Sequence, residues 1–143
     1  MVRMVQRPID LPGLLRLVQG GGIGGIAVFV GVVRDHNAGK RVIAVEYEAY
    51  PAMAEKVLGE IEAEAVGEFG PLSIAIEHRV GRLEVGEASV AIVAGAAHRR
   101  EALGAVSHAI ERIKQAAPIW KKEWYEDGTQ WLDDPGLPGT ELK

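Results

Sequence analysis

No cysteine occurs anywhere in the 143 residues. That excludes a disulfide scaffold, a thiolate metal site and a cysteine nucleophile, so any sulfur chemistry here must draw its sulfur from another molecule. No apolar run approaches the roughly 20 residues that span a bilayer. Residues 1–7 also lack the apolar centre of a signal peptide, and the cytoplasm is the expected compartment. Internal repeats and interdomain linkers are missing as well. The chain is expected to form a single domain over residues 1–143, with a Pro/Gly-rich tail from Asp134 expected to be mobile. Nor is there an excess of positive charge: 16 Lys+Arg against 20 Asp+Glu leave −4, which argues against a general nucleic-acid or membrane-surface role. An RNA-binding reading of the Trp/Lys segment near residue 120 is disfavoured on the same ground. The four histidines, His36, His78, His98 and His108, show neither metal-ligand spacing nor an accompanying carboxylate cluster.

The charge that is present is unevenly placed. Residues 98–122 carry six Lys/Arg and two Glu, whereas residues 123–143 carry six acids and one lysine. A local basic patch on an acidic chain suits a small anionic ligand better than a polymer. Within it, Arg99 and Arg100 fall in the first turn of a predicted helix over residues 98–114. Cations are disfavoured there, where the helix dipole already presents partial positive charge. A bound anion at that end gives the arginines a reason.

Periodicity supplies the elements. Asp10-Leu11-Pro12 reads as an N-cap and early proline opening a helix through Val18. Residues 26–33 (IAVFVGVV) read as a buried strand, 34–41 as a polar loop, and 42–49 as a second strand completing a hairpin. Pro51 opens a helix to about Gly67 with Met53, Val57, Leu58, Ile61 and Ala65 on its apolar face. Strands are predicted over 72–80 and 88–96, with a turn at 81–87. The helix over 98–114 has Leu103, Val106, Ile110 and Ile113 as its core stripe, and 118–125 is extended before an Asp127-Gly128 turn. This order predicts an α+β sandwich with a largely antiparallel sheet.

Two motifs carry different weight. Residues 20–25 (GGGIGG) match G-x-G-x-x-G literally, but they follow a helix and precede a strand, the reverse of a dinucleotide site. They are expected to be a flexible connector. The second is a constellation. Arg34 closes a strand at the mouth of a polar loop, Lys114 ends the last helix, and Lys121-Lys122 lie in the strand that follows. Each alone reads as a solvated charge. In a strand Lys121 and Lys122 point to opposite faces, so only one can share a face with Ile119. Clustered ammonium groups disfavour one another's charge, which yields an amine able to act as nucleophile or general acid near neutral pH. With Arg34, His98 and Arg99 they are expected to form a pocket for a phosphate-bearing substrate.

Four segments resemble the large, catalytic subunit of molybdopterin synthase: FVGVVRDHNAG (29–39), YEAYPAMAEK (47–56), HRVGRLEVGE (78–87), and AHRREAL through KQAAPIWKKE (97–123). They span nearly the whole chain. The resemblance implies a dimeric, α/β-hammerhead-like α+β domain. It also implies a sulfurtransferase that converts cyclic pyranopterin monophosphate (precursor Z) into molybdopterin, building the dithiolene of the molybdenum cofactor. The implied sulfur donor is a small ubiquitin-like subunit with a C-terminal Gly-Gly thiocarboxylate, in a heterotetramer of two central large subunits and two small ones. Neither a metal nor an organic cofactor is implied for this step.

Carried over onto this chain, the resemblance makes Lys114 and Lys121 the two essential lysines. Lys114 would lie beside the thiocarboxylate and Lys121 beside the pterin. Val32, Val33, Arg34, Lys114, Lys121, Lys122 and Glu123 fall in matching substrate-contact segments. His98 and Arg99 match an anion-binding pair that can serve the neighbouring protomer's site. Val32 replaces a lysine found in some relatives, and Leu103 a commoner phenylalanine. A non-catalytic anion-binding or scaffold domain for a ubiquitin-like partner is the alternative.

Overall fold

The computed structural model describes residues 1–131 of the chain; the tail from Asp134 lies outside the described residues. At its centre is β7 (Ala88–Ala96), whose sequence ASVAIVAGA is buried along nearly all its length. It runs antiparallel to β5 (Leu72–Arg79) on one side and to β2 (Gly25–Val32) on the other, while β1 (Val2–Val5) pairs with β5 in parallel. The order β1-β5-β7-β2 makes β2 an edge strand. Small residues on β7 let helices approach both faces. Helix α1 (Leu11–Val18) sets Leu14 and Val18 against Ala75, Ala91 and Val93 on one face. Helices α2 (Pro51–Phe69) and α3 (Arg99–Ala116) cover the other, against Ile74, Ile76, Ile92 and Ala94.

A second sheet is built on β4 (Lys40–Ala49). It pairs with β3 (His36–Asn37), β6 (Gly81–Glu84) and β8 (Ile119–Tyr125), and β8 continues to β9 (Gly128–Trp131). Val33, Val42, Val45, Leu83 and Tyr125 form its small core. The predicted single sheet is therefore two sheets. The α+β class and the antiparallel bias hold, with β1·β5 the parallel pair. The sequence reading did not anticipate β1, and it took the segments holding β3 and β6 for loop and turn. Both are short and polar, and they exist only because β4 offers them an edge.

Some packing expectations are corrected. Strand β2 is not buried throughout: Ile26, Val28 and Val32 are 40, 42 and 50% exposed, because an edge strand keeps one flank uncovered. Met53 and Leu103 face solvent, and alanines outside the predicted stripes take the helix interfaces instead: Ala54 on α2, and Ala102, Ala105 and Ala109 on α3. The Phe69 ring lies where a Cβ on Gly104 would be, so small residues set the α2–α3 spacing. The glycine connector is specific at its end. A Cβ on Gly24 would meet the Ala97 carbonyl, and one on Gly25 would lie 3.2 Å from the Arg99 backbone. These two glycines let the start of β2 pass beneath the N-terminus of α3.

Asp10 caps α1 as expected, its side chain accepting from the Gly13 N–H at 3.1 Å. A stronger polar tie fastens β1. The fully buried Glu77 carboxylate accepts from Arg3 Nε at 2.6 Å and from both Arg7 terminal nitrogens at 3.0 and 3.1 Å.

Candidate active site

Three stretches of chain meet where the two sheets adjoin. Strand β2 ends in a register shift between Gly31 and Val32 and delivers Arg34. Helix α3 delivers Lys114 in its last turn and stops at Ala117, whose N–H bonds to the Ile113 carbonyl at 3.0 Å. Pro118 follows and β8 begins at once, so the chain that leaves Lys114 returns Lys121 to the same place. Strand alternation then sends Ile119, Lys121, Glu123 and Tyr125 to one face. The cleft so formed has a volume of about 320 Å³ and is lined by Arg34, Tyr47, His78, Ser89, Lys114 and Lys121, among others. This lies at the lower end of the range for small-molecule sites. A Cβ on Gly31 would sit 2.8 Å from Val90 Cγ1, so glycine keeps this wall open.

A smaller hollow adjoins the cleft, bounded by Arg34, His36, Lys121 and Glu123. Glu123 is 3% exposed. Its carboxylate lies 3.4 Å from Lys121 Nζ and accepts from Asn37 Nδ2 at 3.3 Å. Burial and the neighbouring Glu123 push the Tyr125 phenol up from its ordinary value. Glu123 thus fixes Lys121 from below and ties β3 to β8.

His78 is a buried titratable group on the cleft wall. Its Nδ1 lies 2.9 Å from the Arg79 carbonyl, and its ring meets Tyr47 edge-on at 5.1 Å between centroids. Burial drives its pKa down from 6.5 to about 4, against the Arg79 carbonyl and with help from the Lys114 charge. The imidazole is neutral at pH 7. Because the folded value lies below the unfolded one, its contribution to stability is present above about pH 6.5 and is lost as pH falls toward 4. That gap amounts to roughly 3 kcal/mol at about 1.4 kcal/mol per pH unit. Denaturant midpoints are expected to fall between pH 7 and pH 4.5, and His78→Gln is expected to flatten that slope. An equal slope in both proteins would assign the acid loss elsewhere.

The remaining sequence candidates separate. Val32 borders both hollows with its side chain half exposed, and Val33 packs into the core of the second sheet. Lys122 points away on the opposite face of β8, its Nζ 4.7 Å from the Trp124 ring centroid. His98 is the N-cap of α3 and makes no side-chain cap bond, and Arg99 begins the helix. Arg99 and Lys114 lie fifteen helical positions apart, about 22 Å at 1.5 Å per residue. The expectation that His98 and Arg99 share one pocket with the lysines of their own chain is therefore corrected: the rigid helix holds them apart. Sequence reasoning missed His78, Tyr47 and Ser89 as lining residues. A hint was available, since each is polar or half-polar at an inward position of an apolar strand. Among the described residues no group of His, Asp and Glu could hold a metal ion.

Cationic walls, a neutral acceptor and a closed floor suit a small anionic substrate. Comparison with known proteins gives the family. The family model described as MoaE protein matches residues 4–116. The chain belongs to the MoaE family. It is 44% identical over 131 residues to the molybdopterin synthase catalytic subunit of Bacillus subtilis (strain 168), covering 92% of this chain and 83% of that one. The crystal structure of molybdopterin synthase from Staphylococcus aureus superposes with a TM-score of 0.88 at 38% identity, covering 90% of this chain and 94% of that one. A Helicobacter pylori structure, a protein–protein complex of subunits 1 and 2 of molybdopterin-converting factor, shares the fold at TM-score 0.76 and 23% identity, with 96% and 93% covered. MoaE membership brings the class of activity: an enzyme of molybdopterin synthesis, within molybdenum cofactor biosynthesis. No helix among the described residues is long and apolar enough to cross a membrane.

Proposed function

We propose that the cleft moves sulfur from the C-terminal thiocarboxylate of a small ubiquitin-like partner onto cyclic pyranopterin monophosphate, building the dithiolene of molybdopterin. The observation that carries this reading is the convergence of Arg34, Lys114 and Lys121 on one cleft. In this chain that cleft has no cysteine to supply sulfur. Arg34 holds substrate phosphate through charge-assisted hydrogen bonds. Lys114 and Lys121 carry protons as the thiocarboxylate sulfur attacks the pterin side chain and as water later releases the spent carboxylate. Val32, Val33 and Glu123 shape the substrate wall, and Lys122 contributes through its backbone. The test is to mix purified protein, the cyclic pterin and the thiocarboxylated partner and to measure dithiolene. Tight partner binding without product would favour the scaffold alternative. The cytoplasm is the proposed compartment, and residues 1–143 the proposed single domain.

His98 and Arg99 act across a central homodimer in this proposal, reaching the neighbouring protomer's cleft. The exposed apolar flank of β2 and the 61% exposed Leu103 on α3 support a self-contact near them. Complementation tests the idea. Arg99→Ala and Lys114→Ala chains, each weakly active alone, are expected to recover about a quarter of wild-type activity when mixed. Half the dimers are then mixed, and each mixed dimer has one intact site. No recovery on mixing would place Arg99 in its own chain's reaction or outside it.

A further inference from the structure

Two buried polar groups on the cleft wall, Ser89 and His78, go unused in this reaction scheme, and of these only His78 has a ring nitrogen left over. A backbone carbonyl can only accept, so the 2.9 Å contact from Nδ1 to the Arg79 carbonyl puts the ring proton on Nδ1. A neutral imidazole carries one such proton, and Nε2 therefore keeps its lone pair. Tyr47 packs edge-on against the ring, and β5 holds it 5% exposed, so the lone pair has one orientation. The other named polar groups of the cleft are mostly donors: the Arg34 guanidinium and the Lys114 and Lys121 ammonium groups, with the Ser89 hydroxyl directed to the Gly31 carbonyl at 3.3 Å. Lys121 already has the Glu123 carboxylate beneath it. Lys114 stands at the C-terminal end of α3 and acts electrostatically on His78.

We propose that His78 is a positioning residue whose Nε2 accepts a hydrogen bond from the Lys114 ammonium group and holds it in line with the reacting atoms. The division of labour follows from charge. A carboxylate at this position would neutralise the cleft and repel an anionic substrate. A charged imidazole would repel Lys114. An acceptor that is neutral at pH 7 fixes the lysine without altering the net charge that the phosphate meets. Lys121 is held by a buried anion and Lys114 by a buried neutral base, so the two lysines are not equivalent. The inference rests on the sulfur-transfer reading for its kinetic consequence, but its geometric content does not.

Two variants and one spectrum test it. His78→Leu fills the site without an acceptor, and His78→Gln retains an amide oxygen. With wild-type partner and pterin, the Leu variant is expected to lose roughly 10- to 100-fold in kcat with KM within about twofold, and the Gln variant to regain most of that loss. Equal losses in both variants, or a loss confined to KM, would overturn the assignment. If the variants do not fold, nitrogen-15 NMR of the wild-type chain decides. Nε2 is expected at the shift of an unprotonated nitrogen and to move on Lys114→Ala; a protonated Nε2, or one indifferent to Lys114, overturns the proposal. Absence of dithiolene from the wild-type protein would fail the sulfur-transfer reading and leave the spectrum to decide His78 alone.

Discussion

Lys114→Ala is expected to lower dithiolene formation by roughly 10²- to 10⁴-fold, the range that a positioned proton-transfer group contributes, while leaving fold and partner affinity nearly intact. The two halves of that expectation have separate causes. Lys114 is exposed at the mouth of the cleft in the last turn of α3. Its removal from the structure forfeits a favourable interaction with the helix dipole of about 0.3–1 kcal/mol and the hydrogen bond proposed to His78, both made by an exposed side chain. Its removal from the reaction takes away one of the two ammonium groups of the cleft. Single-turnover assays with thermal melts alongside read both quantities. A fall of less than tenfold would remove Lys114 from proton transfer. Lys121→Ala is a less clean experiment, because it strips a cation from the buried Glu123 and leaves that carboxylate to Asn37 and Tyr125. Stability and activity would then fall together.

The largest effect on stability is expected at the clasp between β1 and β5. The double variant Arg3→Ala/Arg7→Ala leaves the Glu77 carboxylate buried without its cations and is expected to cost about 3–5 kcal/mol. Replacing the anion instead, by Glu77→Leu, leaves two arginines whose side chains are already 44 and 47% exposed and can turn to water. That variant is expected to stay within about 1 kcal/mol of the parent. Denaturant titration of the three proteins gives the comparison. If the leucine variant is the less stable one, the clasp works through hydrogen bonds that Glu77 alone can accept, and the desolvation argument fails.

How far the sequence was readable depends on the range of the interaction involved. Helix α1 was legible with its cap, because Asp10 and Pro12 act within one turn. Strand β7 was legible to the residue, because a run of small and β-branched apolar residues has few other uses. The predicted stripe on α3 went wrong at Leu103 for a tertiary reason. Large apolar side chains mark the core when the neighbour is distant, but here α2 lies close and alanines fill the gap. Strands β3 and β6 were illegible because nothing in a two- or four-residue polar segment encodes pairing; the free edges of β4 do.

The site divides along the same line. Sequence by itself determined that any sulfur chemistry must draw on another molecule, that an anion is the expected ligand, that Lys114 ends a helix and that Lys121 and Lys122 oppose each other across a strand. All of these follow from composition or from the local periods of helix and strand. Only the tertiary structure decided that Arg34 shares a cleft with Lys114 and Lys121 and that Lys122 belongs to the other face. It also placed His78 and Tyr47, from β5 and β4, on the cleft wall. These facts depend on strand register and on which helix faces which sheet. Contacts between residues far apart in the chain set both, and no local period carries that information.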